Sequence, residues 1–207
     1  MIEYISQHWY VGVALVLLAV LTVFMFIMAI ISGRKRNAER ERIIAEIERE
    51  KSIRKEFREI DEDTFAPDRD DYRLVVGICA NIQMSIEKIE DMNSAFSALP
   101  EEKKLIYALG YVFEDSRTNL SEFFRANGEP LLSVASEAVD RIVGGRMKEV
   151  FDKERIMLDE NDETTSVDND LLEKLDEEYS LIVQEEGSRI YANAASFIRR
   201  NKDIFLQ

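Results

Sequence analysis

Residues 11–31 read VGVALVLLAVLTVFMFIMAII, and this stretch sets the architecture of the whole chain. It contains 21 residues, its only polar side chain is Thr22, and no charged residue occurs from Tyr4 to Gly33. At a rise of about 1.5 Å per residue, a helix of this length is about 31 Å long, which is the thickness of the hydrocarbon part of a bilayer. We therefore predict one transmembrane helix, Val11–Ile31. The residues assigned to this span are Val11, Leu15, Leu18, Leu21, Phe24, Ile27 and Ile31.

Two other interpretations of this stretch fit it less well. A cleaved signal peptide needs a basic segment before a shorter apolar core and a small-x-small cleavage site. Residues 1–10 carry only Glu3 as a charge, and a basic cluster follows the apolar run instead. A buried core helix is disfavoured because every face of the stretch is apolar.

The basic residues Arg34, Lys35 and Arg36 follow the apolar stretch directly. Lys and Arg are retained on the cytoplasmic side of a membrane-spanning helix, and near anionic headgroups each contributes about 1 kcal/mol. We therefore predict a single-pass protein of the inner (plasma) membrane, with its N-terminus outside and its C-terminal domain in the cytoplasm. The same three residues are the predicted headgroup contacts.

The rest of the chain has the composition of an all-α protein. The 207 residues include only 3 Pro and 8 Gly, the residues that punctuate β-rich folds, and 46% of them are apolar. We predict a charged juxtamembrane helix at residues 34–60, a linker at residues 61–71 around Pro67, and an all-α acidic domain at residues 72–207. The juxtamembrane helix has a narrow apolar stripe, so it is either a charged stalk or a weak coiled coil.

Apolar residues recur at helical spacing at the start of the predicted domain. A helix from Tyr72 to about Met92 is expected, with Asp70 or Asp71 as its N-cap. Cys79 lies beside its buried face and is expected to be a small core residue. The residues expected to line that face are Val75, Ile78, Ile82, Ile86 and Ile89.

The later helices are predicted from their start and stop signals. Helices are expected to begin near Pro100 and Pro130, since proline is favoured in the first turn, and Gly144-Gly145 is expected to interrupt the second of these. After an acidic loop at residues 159–170, two helices are expected, Leu171–Val183 and Ile190–Phe205, separated around Gly187.

Negative charge is concentrated after the juxtamembrane helix. The chain has a net charge of −14, and residues 61–207 hold 17 Lys and Arg against 33 Asp and Glu. Such a domain repels phosphate, so direct nucleic-acid binding is not expected. The acids form either a solubilising surface or a face for a basic protein partner. The acids that would bind such a partner are Asp159, Glu160, Asp162, Glu163, Asp168, Asp170, Asp176, Glu177 and Glu178.

The sequence contains no recognisable catalytic or metal-binding motif. Its single histidine, His8, precedes the apolar stretch, and one cysteine cannot supply a zinc site. Residues 159–170 fail as a calcium-binding loop because Thr164 stands where an EF-hand needs glycine and Asp170 where it needs glutamate. We therefore expect no enzymatic activity, no metal and no cofactor.

Residues 99–158 resemble the core of the bacterial DNA-mimic protein family, a helical domain of largely unknown function. Leu120, Glu122 and the aromatic pair Phe123-Phe124 fall on the family's Phe-x-Gln-Phe-Phe motif, and Asn127-Gly128 falls on its turn. Arg117-Thr118-Asn119 replaces the family's Asn-Gly-Gly triplet. The resemblance extends over about residues 72–205, and it implies an all-α fold and protein binding through an acidic surface.

The sequence thus predicts a membrane-anchored cytoplasmic helical module that binds a protein partner through its acidic surface and sequesters a basic or DNA-binding protein. The alternative is a structural scaffold of an envelope assembly that forms homo-oligomers through its juxtamembrane helix.

Overall fold

A computed structural model of the chain describes residues 18, 44–45, 47–116, 119–159 and 167–206. Within these ranges all regular structure is helical and no strand occurs, which confirms the all-α prediction. The chain divides into two compact units, Met1–Lys51 and Ser52–Gln207.

The first unit contains the predicted transmembrane helix, of which only Leu18 is described. Leu18 is helical and 64% exposed, while Arg34, Lys35, Arg36 and the other predicted membrane residues lie outside the described residues. Among the residues that are described, no helix has both the length and the apolar character to cross a membrane.

Within the described residues, the second unit begins with helical residues 52–56 and then holds eight further α-helices. Short 3-10 and π segments occur at Glu62–Phe65 and Val139–Val143. The α-helices are α1 (Asp71–Ile86), α2 (Met92–Ala98), α3 (Glu101–Asp115), α4 (Leu120–Ala126), α5 (Leu131–Ala138), α6 (Gly145–Asp159), α7 (Asn169–Arg200) and α8 (Lys202–Phe205).

Aspartates begin several of these helices. Asp70 accepts a hydrogen bond from the backbone N–H of Arg73 at 2.8 Å, so the N-cap expected for the first helix is confirmed. Asp91 and Asp168 cap α2 and α7 in the same way. Each cap satisfies backbone donors that the first turn of a helix leaves unpaired.

The core lies where α1 packs against α3 and α7, α3 packs against α5, and α6 packs against α7. Val75, Ile78, Ile82 and Ile86 are buried as predicted. Ile89 is 50% exposed, so its predicted burial is wrong: α1 ends at Ile86, and the chain after it no longer follows the buried face.

Cys79 packs in the contact between α1 and α3, as predicted for a small core residue. Its thiol donates to the carbonyl oxygen of Ile106 at 3.3 Å, and burial, reinforced by the charge of Glu114, raises its pKa to about 12. A Cβ on Gly110 would lie 2.6 Å from the Cys79 sulfur, so the two helices meet closely because residue 110 has no side chain.

The compact unit begins earlier than the domain boundary predicted at residues 61–71. Residues 47–56 are helical, and Ile53 and Phe57 are 2% and 1% exposed within the core cluster. The Phe57 carbonyl accepts from the Asn81 side chain at 2.8 Å. Within the predicted linker, a capping box between Asp61 and Thr64 fixes the 3-10 turn and Phe65 is buried.

The last long helix, α7, is continuous across Gly187 for 32 residues. The predicted pair of helices, Leu171–Val183 and Ile190–Phe205, is therefore wrong. Ile182 and Ile190 are buried on either side of the glycine, and this packing offsets the weak helix preference of one residue. The interruption predicted at Gly144-Gly145 is confirmed, since these residues have φ of 63° and 60°, in the left-handed region that glycine favours.

Candidate functional site

A glutamate occupies the buried face of α6. Met147, Val150 and Phe151 line this face, and Glu154 takes the next position in the same helical stripe. Its residue surface is 0% exposed, and neither of its carboxyl oxygens has a hydrogen-bond partner among the residues that the structure describes. An ionised carboxylate is strongly disfavoured in such a place.

The surroundings of Glu154 favour its neutral form. Burial, reinforced by the negative charge of Asp176 on α7, raises the pKa of Glu154 to about 8, while the cation of Arg125 on α4 acts in the opposite direction. At neutral pH the buried group is therefore mainly the uncharged acid.

Asp176 is also buried, at 9% exposure, but both of its carboxylate oxygens accept hydrogen bonds. Its two carboxylate oxygens accept from the backbone N–H of Ser121 at 3.0 Å and from the Ser121 hydroxyl at 2.8 Å. Ser121 lies in the first turn of α4, where the N-cap residue Asn119 makes no side-chain capping bond. Asp176 on α7 thus accepts from a backbone N–H that the first turn of α4 would otherwise leave unpaired. Its negative charge also interacts favourably with the positive N-terminal end of the helix dipole.

A hydroxyl pair lies beside the two acids. The Ser116 Oγ and Tyr179 Oη atoms are 2.5 Å apart, and Ser116 also donates to the Val112 carbonyl. Because the serine hydrogen is directed at that carbonyl, Tyr179 is the donor to Ser116. Burial raises the pKa of Tyr179 to about 12; the hydrogen bond to Ser116 acts against this shift and the nearby Glu154 adds to it. Tyr179 therefore remains a neutral donor.

Ser116 and Tyr179 also border an open, mainly apolar groove of about 230 Å³ between the end of α3 and the middle of α7. The Phe113 and Tyr191 rings lie 5.1 Å apart between centroids, and Tyr191 also packs edge-on against Tyr72. The residues that form the aromatic walls and the α7 side of the groove are Phe113, Tyr179, Tyr191, Val183, Gly187 and Ile190.

The acids predicted to bind a partner have different surroundings where the structure describes them. Asp159 ends α6, whereas Glu160, Asp162 and Glu163 lie outside the described residues. Asp168 caps α7, Asp170 and Glu177 are exposed, and Glu178 is half-buried. Asp176 lies inside the domain, where it accepts from Ser121, and so it is not available to a partner.

The exposed face of α7 nevertheless carries three acids, with Lys174 one helical turn from two of them. Asp170, Glu173 and Glu177 are exposed and follow one another by three and four residues, so they share one face. Within the described part of the chain no cation forms an ion pair with any of the three. Elsewhere several arginines are paired: Arg141 with Glu101 and Glu137, Arg146 with Glu185, and Arg199 with Asp71.

Sequence reasoning missed Glu154, Glu173 and the groove. The signal for Glu154 is its position, since it continues the helical spacing of Val150 and Phe151. Glu173 shares its exposed face with Asp170 and Glu177, two of the acids predicted to bind a partner. The groove had no local signal, because it is formed by residues more than 60 positions apart in the sequence, such as Phe113 and Tyr191.

Comparisons with known proteins give no relative: no family model, no curated protein and no solved structure matches this chain. The resemblance to the DNA-mimic family therefore stays a prediction, and the functional interpretation rests on the geometry of the second unit.

Proposed function

We propose that this protein is a membrane-anchored interaction module whose acidic helical domain binds a basic segment of a protein partner on the cytoplasmic side. The observation that carries the proposal is the exposed row formed by Asp170, Glu173 and Glu177 on α7. The compact unit from Ser52 to Gln207 has 20 Lys and Arg against 35 Asp and Glu, so its long-range field also attracts cations.

The length of the acidic row favours a peptide segment over an extended mimic of DNA. At about 1.5 Å per residue, Asp170 and Glu177 are about 10 Å apart along the helix axis. Duplex DNA presents one phosphate per strand about every 3.4 Å of its axis and continues that pattern over many base pairs. Three carboxylates spread over about two helical turns suit a few lysines or arginines, and exposed Leu181 continues the same side of α7 as an apolar contact.

The test measures how tightly the full-length chain in lipid nanodiscs binds an array of synthetic peptides. Each peptide has about 18 residues, enough to lie as a helix along the exposed part of α7. Each peptide carries several lysines and one tryptophan at different spacings. The triple variant Asp170→Asn, Glu173→Gln, Glu177→Gln is expected to bind the best peptides about 3- to 150-fold more weakly, because three exposed ion pairs are lost and each contributes about 0.2–1 kcal/mol.

The matched control changes three exposed acids elsewhere, Glu90→Gln, Glu122→Gln and Glu149→Gln, and so alters the net charge equally. It is expected to weaken binding by less than about 2-fold. Equal losses in the two triple variants would mean that only total charge matters, and the assignment to α7 would be wrong. Absence of binding across the whole array would also contradict the proposed function.

Self-association through the juxtamembrane helix is the second candidate function. Ile44 and Ile47 lie one helical turn apart and are 56% and 44% exposed. Replacement of both by serine is expected to convert a concentration-dependent oligomer of the full-length chain into a monomer in sedimentation experiments, since two apolar contacts per helix would be lost. A wild-type chain that is monomeric at every concentration would exclude this scaffold role.

A further inference from the structure

Gly187 stands in the middle of α7 without a packing reason inside the domain. Glycine destabilises a helix interior relative to alanine, and a Cβ built at Gly187 meets no heavy atom of the described residues within 4 Å. At Gly77 and Gly110, by contrast, a Cβ would meet neighbouring side chains at 2.4 Å and 2.6 Å. The missing side chain at Gly187 therefore leaves open space in the groove rather than close contact between helices.

The size of the groove indicates what it can hold. Its volume of about 230 Å³ is below the range of about 300–1,000 Å³ typical of sites for drug-sized ligands. A cavity of about 150 Å³ is enough for benzene. The groove therefore fits one large apolar side chain, for which the Phe113, Tyr179 and Tyr191 rings and Val183 provide apolar walls.

The groove and the acidic row lie on one face of α7. Glu173, Glu177 and Ser180 are separated by four and three residues; Gly187 follows Ser180 by seven residues, about two turns, and Tyr191 follows Gly187 by four, so all five share one face. At about 1.5 Å per residue, Gly187 lies about 15 Å from Glu177 and about 21 Å from Glu173 along the axis. A segment lying along this face would meet carboxylates at one end and the groove at the other.

We propose that the groove receives a single large apolar side chain of the basic partner segment, and that this anchor lies about 15–21 Å from the lysines or arginines that meet the acidic row. The inference rests on the proposed function and specifies its ligand. The negative charge of the acidic row favours a basic segment as the occupant. The apolar side chain in the groove supplies the buried, water-excluded contact on which peptide recognition depends. The spacing corresponds to 10–14 residues in a helical segment or about 5–6 residues in an extended one.

The experiment uses the same peptide array and the full-length chain in nanodiscs. Gly187→Leu fills the groove, and its matched control, Ser196→Leu, adds the same side chain on the opposite side of α7. Gly187→Leu is expected to weaken binding of the best peptide at least about 10-fold, as is replacement of the peptide's tryptophan by alanine, and the two changes together should weaken it no further. The circular dichroism spectrum of each variant checks that α7 is intact.

The possible outcomes separate the inference from the function on which it rests. If the acidic triple variant weakens binding and Gly187→Leu does not, the anchor is overturned and the acidic function stands. If an alanine peptide binds as tightly as its tryptophan parent, the anchor is overturned as well. If Gly187→Leu instead dissociates a dimer of the chain in sedimentation experiments, the occupant is a second copy and the inference is wrong. If no peptide binds, both proposals fail.

Discussion

At about pH 9 the Glu154→Gln variant is expected to be more stable than the wild-type chain by about 3–4 kcal/mol, whereas near pH 5 the two should differ by less than about 1 kcal/mol. The Glu154 pKa is about 8 in the folded domain, against an ordinary value of 4.5. Below pH 4.5 the carboxyl is protonated in both the folded and the unfolded chain, so its ionisation costs nothing. As the pH rises between these two pKa values, the Glu154 carboxyl loses its proton only in the unfolded chain. The free energy of unfolding of the wild-type chain therefore falls by up to about 1.4 kcal/mol for each pH unit.

The gain on substitution is smaller than the full linkage because glutamine leaves its own amide unsatisfied in the same place. The groups that face residue 154, namely Asp176 and Tyr179 on α7 and Arg125 on α4, remain the same in both proteins. Urea unfolding followed by circular dichroism between about pH 5 and pH 9 measures the effect. Glu149→Gln, an exposed acid on the same helix, should leave the wild-type pH dependence unchanged. Parallel pH profiles for Glu154→Gln and wild type would show that Glu154 does not titrate in this range.

The helical fold could be predicted from the sequence because short stretches of sequence contain the signals for the individual helices. Apolar residues at helical spacing identified the buried face of α1 from Val75 to Ile86, and Asp70 marked its beginning. Where the prediction failed, tertiary packing overrode a local signal. Gly187 was expected to end a helix, but burial of Ile182 and Ile190 keeps α7 continuous.

The buried acids could have been recognised from the same periodicity that located the core. Glu154 follows Val150 by four residues and Phe151 by three, and Asp176 lies four residues after Leu172 and three before Tyr179. Both acids therefore sit within apolar stripes. Their charge nevertheless suggested a solvent-facing position, because acids are almost never buried without a partner. Only the arrangement of α4, α6 and α7 shows that Asp176 gains the Ser121 donors, while Glu154 gains no hydrogen bond from any residue that the structure describes.

The net charge alone could not distinguish acids available to a partner from acids that stabilise the fold. Asp168 caps α7 and Asp176 holds α4, while Asp170 and Glu177 reach solvent without a partner in the described chain. All four belong to the same acidic stretch of sequence. The direction of each side chain follows from the rotation of α7 against its neighbours, which depends on residues distant in the sequence such as Ser121 and Phe113.

Replacement of Phe57 by alanine is expected to destabilise the domain by about 3–5 kcal/mol, the range found for large-to-small changes at buried aromatic residues. Phe57 is 1% exposed, lies after the residue 47–56 helix and packs its ring on Gly77 of α1. The Arg69 guanidinium lies 5.1 Å from the ring centroid, and that contact would be lost as well. Urea unfolding of the full-length chain measures the change. If residues 52–60 were only a stalk outside the domain, the loss would be below about 0.5 kcal/mol, as for a surface substitution.

A double-mutant cycle between Phe57 and Gly77 tests whether this contact holds Phe57 in the core of the second unit. A Cβ at residue 77 would lie 2.4 Å from three atoms of the Phe57 ring, so Gly77→Ala alone is expected to displace the ring and destabilise the domain by about 1–3 kcal/mol. In the Phe57→Ala background the ring is absent, and the same Gly77→Ala change should be neutral or stabilising by up to about 1 kcal/mol, because alanine favours the helix and fills part of the cavity. The sign of the Gly77→Ala effect should therefore depend on Phe57, with a coupling energy of at least about 1 kcal/mol. Additive effects of the two substitutions would mean that the ring does not rest on Gly77. The main contact that supports a domain beginning at Ser52 would then be contradicted.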